Sequence, residues 1–215
     1  MILGIDTSSK NCSLALWQGQ HLLGSLDQVS EDFLHAEILH VEIERLLAEA
    51  QIEFSDLTAV VVGSGPGSYT GLRIGVAAAK GLAMALNIPL YAVSGLDMML
   101  TQRLEGHFDG VLVVMDARRN EVFASWLLPN GHLSNPSAMI VDEEFASSFL
   151  NQSLLVIGEN ATKLQPILPV QTVFLNTLPS IKQVCLNNIS LGEAVDLAYF
   201  EPTYVKPFIP TMAKK

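Results

Sequence analysis

Short apolar runs alternate with turn residues at the front of the chain. Residues 2–7 form a β-rich run, Ser8-Ser9-Lys10-Asn11 turns the chain, and residues 12–17 read as a second strand. Gln18-Gly19-Gln20 turns again into a third strand at 21–26, so two hairpins in succession predict an antiparallel meander. From residue 32 to 50 the apolar positions recur at helical spacing. Residues 57–62 are a continuous β-branched run, as in strands buried on both faces. A helix over 70–86, a strand over 90–93 and a helix over 96–104 complete a β-β-β-α-β-α-β-α order.

The pattern then restarts. A strand at 110–115, a turn at Asp116-Ala117-Arg118-Arg119-Asn120, and a return strand at 121–128 are followed by the hairpin turn Pro129-Asn130-Gly131. A strand near 138–141, a helix from about 143, strands at 154–157 and 172–175 separated by a short helix, and a helix near 181–187 follow. This looser copy of the first half predicts two lobes of related α/β architecture. The boundary falls near 105–109, giving an N-terminal lobe over 1–106 and a smaller C-terminal lobe and tail over 107–215. The tail, PFIPTMAKK, reads as frayed or extended.

Two helices carry more apolar surface than one sheet can cover. In the 70–86 helix the only polar side chains are Thr70, Arg73 and Lys80, on one stripe with Met84, and the rest is an apolar arc of roughly 220°. Gly71, Gly75, Ala79 and Ala83 recur every four residues within it. Glycine costs roughly 1 kcal/mol against alanine inside a helix, so close approach of another helix is the expected compensation. The 32–50 helix has a seam of Phe33, Ala36, Leu39, Ile43, Leu46, Leu47 and Ala50, and a second patch of Leu34, Ile38 and Val41. The expected partner interface is therefore Leu34, Ile38, Val41, Gly71, Leu72, Gly75, Ala78, Ala79 and Leu82, able to make half of a four-helix bundle. A second lobe folded over both helices is the alternative cover.

Charge narrows the partners. The chain has 22 acidic and 12 basic residues and a net charge of −10, which argues against direct binding to a nucleic-acid backbone. Nine carboxylates against Arg45 alone lie between Asp27 and Asp56, either a solvated helix face or a match to a basic partner. Cys12 and Cys185 form neither a CxxC pair nor a metal-ligand spacing, so buried thiols in a reducing compartment are expected. The N-terminus lacks the basic region of a signal peptide, and no apolar run approaches the ~18 residues that span a bilayer. A soluble, cytoplasmic protein with no membrane partner is the expectation.

The chemical motifs are weak. No Lys-Ser or Lys-Thr completes a Walker pattern around Gly63-Ser64-Gly65-Pro66-Gly67, and Ser68 stands where a dinucleotide loop has its third glycine. A strand-to-helix turn capped by Ser68 or Thr70 is the structural expectation. Asp6-Thr7-Ser8 and Asp116-Ala117-Arg118-Arg119 sit at the hairpin turns where two-lobe phosphotransferases hold phosphate, but both lack the glycine that lets backbone approach it. His35 and His40 are five apart, wrong for a helical zinc pair, and read as ordinary, partly exposed histidines. No catalytic residue, cofactor site or metal site is therefore assigned.

Gly4-Ile5-Asp6-Thr7-Ser8 and Gly65-Pro66-Gly67-Ser68-Tyr69-Thr70-Gly71-Leu72-Arg73-Ile74-Gly75 resemble the TsaB (YeaZ) family, the second being its signature with Tyr69 in place of the usual phenylalanine. Asp116-Ala117-Arg118, Glu121-Val122-Phe123 and Glu201-Pro202-Thr203-Tyr204-Val205-Lys206 are similar too, with Lys206 where arginine is usual. The resemblance implies the two-lobe actin-like, sugar-kinase-like (ASKHA) α/β fold with a reduced second lobe. It implies a non-catalytic scaffold or activator of tRNA threonylcarbamoyladenosine (t6A) formation. Such a subunit pairs with a TsaD-like transferase, or with itself as a homodimer, through helices of the first lobe. A TsaE-like ATPase completes the assembly, and tRNA is met only through the complex. The alternative is a nucleotide-dependent enzyme of the same fold.

Overall fold

The computed structural model describes residues 1–30, 34–100 and 107–206. Phe33, the expected helix start at Asp32, the helix end after Leu100, Glu105 at the expected boundary and the tail from Pro207 lie outside these. The first sheet is built from β1 (Ile2–Asp6), β2 (Asn11–Gln18), β3 (His21–Val29), β4 (Ala59–Gly65) and β5 (Leu90–Ser94), in the order β3-β2-β1-β4-β5. The hairpin strands pair antiparallel, while β1, β4 and β5 run parallel. The second sheet, from β6 (Gly110–Asp116), β7 (Glu121–Trp126), β8 (Ser137–Ile140), β9 (Leu154–Gly158) and β10 (Val173–Asn176), has the order β10-β9-β6-β7-β8. Read from its first strand, this repeats the first sheet strand for strand, with the same parallel and antiparallel pairings. The fold is the two-lobe actin-like α/β class.

The copies differ in their crossovers. In the first, α1 (His35–Glu49, 15 residues) and α2 (Tyr69–Leu86, 18 residues) link the parallel strands. At the same places the second has only α4 (Glu143–Ser147, 5 residues) and a 3-10 turn, Ala161–Leu164. α1 and α2 cover one face of the first sheet through Leu39, Ile43, Leu46, Leu47, Val76, Ala79 and Ala83, packed on Leu3, Ile5, Leu14, Val60 and Val62. The opposite face, with Ala15, Trp17, Val61 and Val93, is covered by Met98 of α3 (Gly95–Leu100) and by Ile181, Val184 and Cys185 around α5 (Lys182–Leu186). α3 also places Leu96 and Met99 against Val113, Met115 and Phe123 of the second sheet, so it is packed between the two. Both cysteines are free and buried, as expected.

The chain's last described part returns to the first sheet. Asp27 on β3 accepts hydrogen bonds from Asn11 (2.9 Å), Ser13 (2.7 Å) and Ser180 (2.8 Å) and pairs with Lys182 at 2.6 Å. Farther on, Lys80 donates to the Phe200 carbonyl at 3.1 Å and Arg73 to the Tyr204 hydroxyl at 3.3 Å. Val195, Leu197 and Phe200 pack beside the first core. The polar stripe of α2 thus serves to hold this segment.

The structure corrects two expectations about side-chain direction. Gly71, Leu72, Gly75, Ala78 and Ala79 are buried within the chain, so the small-residue stripe faces its own sheet and not a neighbour. A Cβ at Gly71 would collide with the Thr7 carbonyl oxygen, and one at Gly75 with Thr7 Oγ1. Close approach of the β1–β2 turn, not of another helix, accounts for both glycines. His35, expected to be partly exposed, is buried with its Nε2 2.8 Å from the Ser9 carbonyl oxygen.

Candidate functional site

Two regions carried functional expectations: the paired hairpin turns and the outer face of α1 and α2. At the first turn the glycine loop closes onto β1–β2. The Ser68 N–H donates to the Ser8 carbonyl at 2.7 Å, Thr7 Oγ1 donates to the Gly71 carbonyl at 2.7 Å, and a Cβ at Gly67 would overlap Ser8. Ser68 caps α2 by accepting from the Gly71 N–H at 3.3 Å, as its position predicts. Gly67 and Gly71 therefore seat this turn, and the Ser68 N–H that would face an anion at the helix start is spent within the protein.

Asp6 lies beneath the loop, fully buried, with Oδ2 accepting from Ser8 at 3.0 Å and Oδ1 against Gly63. Burial raises its pKa to about 7, against the hydrogen bonds from Ser8. At the equivalent turn of the second lobe, Asp116 accepts from Lys163 (2.8 Å) on one oxygen and from Asn160 (2.8 Å) on the other. Burial pushes its pKa up, but Lys163, Asn160 and the Arg118 N–H outweigh that and hold it below the usual carboxylate range. Glu159, next to this turn, is raised to about 7 by burial and by Asp116. One aspartate is thus sealed under the loop and the other is held by a lysine ammonium, so neither carboxylate is openly presented at its turn.

These shifts set a pH profile. Asp27 and Asp116 have lowered folded pKa values; for Asp27 the bonds from Lys182, Asn11, Ser13 and Ser180 overcome burial. Their stabilisation is present above the unfolded value near 4 and is lost as pH falls through the folded value. Asp6 and Glu159, raised to about 7, act in the opposite sense: they keep protons that the unfolded chain has released between about pH 4 and 7, so stability falls as pH rises through that window. Buried His35, its pKa lowered by burial, works the other way below about pH 6.5, but it is one group against two. The unfolding free energy is therefore expected to be higher at pH 5 than at pH 8 by on the order of a few kcal/mol at most, with the urea midpoint moving in the same direction. Asp6→Asn should flatten that decline. A midpoint that rises from pH 5 to 8 would contradict the assignment.

The second region is the outer surface of α1 and α2. An open groove of about 490 Å³ runs between them, lined by Ala36 and His40 of α1 and Ile74, Ala77, Ala78, Gly81 and Leu82 of α2. Val41 is 63 % exposed and Met84 77 % exposed on the same two helices. Of the expected interface residues, Ala78 and Leu82 line the groove and Val41 is exposed, while Leu34 and Ile38 are half-buried. Gly81, unlike Gly71 and Gly75, has nothing within 4 Å of the position of a Cβ. A mid-helix glycine facing open space costs roughly 1 kcal/mol relative to alanine, and no packing within the described residues offsets it. Ala36, His40, Ile74, Ala77 and Gly81 were not on the expected interface. Glu37 and Glu44 lie three and four residues from His40, on the same side of α1, and are exposed.

Comparison with known proteins adds the following. Residues 32–127 match the family model described as TsaD, tRNA N6-adenosine threonylcarbamoyltransferase. An uncharacterised protein of Mycobacterium bovis is 40 % identical over 123 residues, covering 57 % of this chain and 56 % of that protein. The tRNA threonylcarbamoyladenosine biosynthesis protein TsaB of Bacillus subtilis is 37 % identical over 124 residues, covering 57 % of this chain and 52 % of that protein. The match thus spans just over half the length of these curated relatives. The solved structure of YeaZ from Pseudomonas aeruginosa superposes with a TM-score of 0.78 at 29 % identity, over 94 % of this chain and 98 % of that one.

Proposed function

Because the chain belongs to the TsaB (YeaZ) family, we propose that it is a non-catalytic scaffold or activator subunit for t6A modification of tRNA. In this reading it docks a TsaD-like transferase on the outer face of α1 and α2, and a TsaE-like ATPase completes a cytoplasmic assembly. The observation that carries the reading is the groove with Gly81 on its wall: an apolar face, beside a glycine that packing among the described residues does not explain. A helix laid against Ala77 and Gly81 could approach closely, and Val41 and Met84 would be covered with it. Burying such side chains contributes about 1.5–3 kcal/mol each when they are fully covered.

Charge argues against a second copy on this face. A homodimer on this face would bring Glu37 and Glu44 of two chains together in a molecule of net charge −10, whereas a partner with a basic rim would meet them with opposite sign. Self-pairing through the same face is the weaker state in this reading and is favoured by high salt, which screens the repulsion.

The nucleotide-dependent alternative has less support, because Asp6 is sealed under the glycine loop and Asp116 is tied to Lys163. The test is reconstitution. Transferase subunit, threonylcarbamoyl-adenylate and unmodified tRNA are incubated with and without this chain, and t6A is measured in the digested nucleosides. Modification that depends on the chain is expected. Equal yield without it, or hydrolysis of Mg-ATP by the chain alone, would overturn the reading.

A further inference from the structure

The β6–β7 hairpin turns through Arg118 and Arg119, and both have positive φ, 64° and 49°. The Ala117 N–H donates to the Glu121 carbonyl and the Glu121 N–H to the Arg118 carbonyl, so the turn is closed and its backbone fixed. Positive φ belongs to glycine, and among other residues chiefly to asparagine, because a Cβ crowds the carbonyl there. Elsewhere the chain follows that rule: Gly19 serves the β2–β3 turn, Asn130-Gly131 the turn after β7, and three of the four other non-glycine residues at positive φ are Asn87, Asn160 and Asn188. Two consecutive arginines in such a turn weaken the hairpin, and backbone geometry gives no reason for them.

Both arginines are exposed, and neither guanidinium has a hydrogen-bond or ion-pair partner among the described residues. The neighbouring carboxylates already have other cations: Lys163 holds Asp116, and Lys206 pairs with Glu121. Burial and, after it, the nearby Arg119 hold the Lys206 pKa below its usual value, so positive charges crowd this tip. A chain of net charge −10 thus keeps two consecutive, exposed arginines at one turn, with no guanidinium partner among the described residues.

We propose that the Arg118–Arg119 tip binds phosphates of an RNA backbone. Two planar forks of donors on consecutive residues, with no partner among the described residues, suit bidentate contacts to phosphates. The exposed position suits an extended polyanion better than a nucleotide, which would need a cradle beside Asp116, where Lys163 already sits. This contact is local and auxiliary, consistent with the acidic chain, but it departs from the expectation that RNA is met only through a partner. The choice of RNA rests on the family's tie to tRNA modification and not on the α1–α2 face.

The test is a titration of the full chain with a 12-base-pair RNA duplex, followed by NMR of the backbone amides and the arginine Nε–Hε signals. Separate arms use Mg-ATP and a glutamate-rich decapeptide. The duplex is expected to shift residues 117–121 and both arginine signals, with an affinity that falls as salt rises. The double variant Arg118→Asn, Arg119→Gly should lose these shifts and flatten the salt slope by about two, one for each phosphate contact. The same variant should melt at an equal or higher temperature, by up to a few degrees, since it relaxes the turn. Absence of any hairpin shift with the duplex at millimolar concentration would overturn the proposal, as would shifts with Mg-ATP or the peptide alone. Gly81 variants that lose pairing should leave this titration unchanged, which separates its failure from failure of the docking face.

Discussion

Replacing Gly81 by tryptophan is expected to abolish pairing while leaving the fold at least as stable as before. A Cβ at this position meets nothing within 4 Å and the groove beside it is open, so an indole can be accommodated, and the helix loses a residue that disfavours it by roughly 1 kcal/mol. A partner helix that needs close approach along Ala77 and Gly81 would instead meet a large side chain. Affinity for the transferase subunit should fall at least tenfold, about 1.4 kcal/mol, in light scattering of the mixed proteins. Gly81→Ala isolates the other half of the argument: it should raise stability by about 1 kcal/mol and disturb pairing far less. Leu150→Asp, at a site 67 % exposed just after α4, is the control and should change neither. Normal pairing by the tryptophan variant would remove the docking face from the account.

The second large effect lies at Gly71 and Gly75. On helix propensity alone, alanine at either place should stabilise α2 by about 1 kcal/mol. The opposite is expected here. At Gly71 the new Cβ meets the Thr7 carbonyl oxygen, a backbone atom with no freedom to rotate away. At Gly75 it meets Thr7 Oγ1, which is itself fixed by donating to the Gly71 carbonyl at 2.7 Å. Overpacking of this kind typically destabilises by about 1–3 kcal/mol, so both variants should unfold at lower urea concentration, Gly71→Ala the more so. A leucine at Gly75 would disrupt the sheet-to-helix contact itself, and its loss of pairing would say nothing about an interface. An unchanged or raised midpoint for Gly71→Ala would refute the reading that the signature glycines serve the β1–β2 turn.

The order and type of the elements were legible in the chain, because hairpin turns, β-branched runs and helical spacing all repeat in the two halves. The surplus of apolar surface on α1 and α2 was legible too. Which side of α2 faces inward was not. Two four-residue stripes of small side chains run along it, one through Gly71, Gly75, Ala79 and Ala83 and the other through Ala77, Gly81 and Ala85, and spacing alone treats them alike. The signal that separates them is bulk. Leu72 and Val76 lie beside the first stripe and are buried in the core, whereas the second has the half-buried Ile74 and the exposed Met84 as its large neighbours. His35 misled for a related reason: its depth depends on Ser9, 26 residues away and on another element. Likewise the docking of residues 180–204 onto the first sheet depends on Asp27 and Lys80 meeting partners far along the chain, which no local pattern encodes.

Amide hydrogen exchange of this chain, alone and mixed with the transferase subunit, tests the central claim most directly. New protection is expected in residues 36–44 of α1 and 74–85 of α2, with β8 and α4 unchanged. Protection confined to the second lobe, with both helices exchanging as in the free chain, would contradict it.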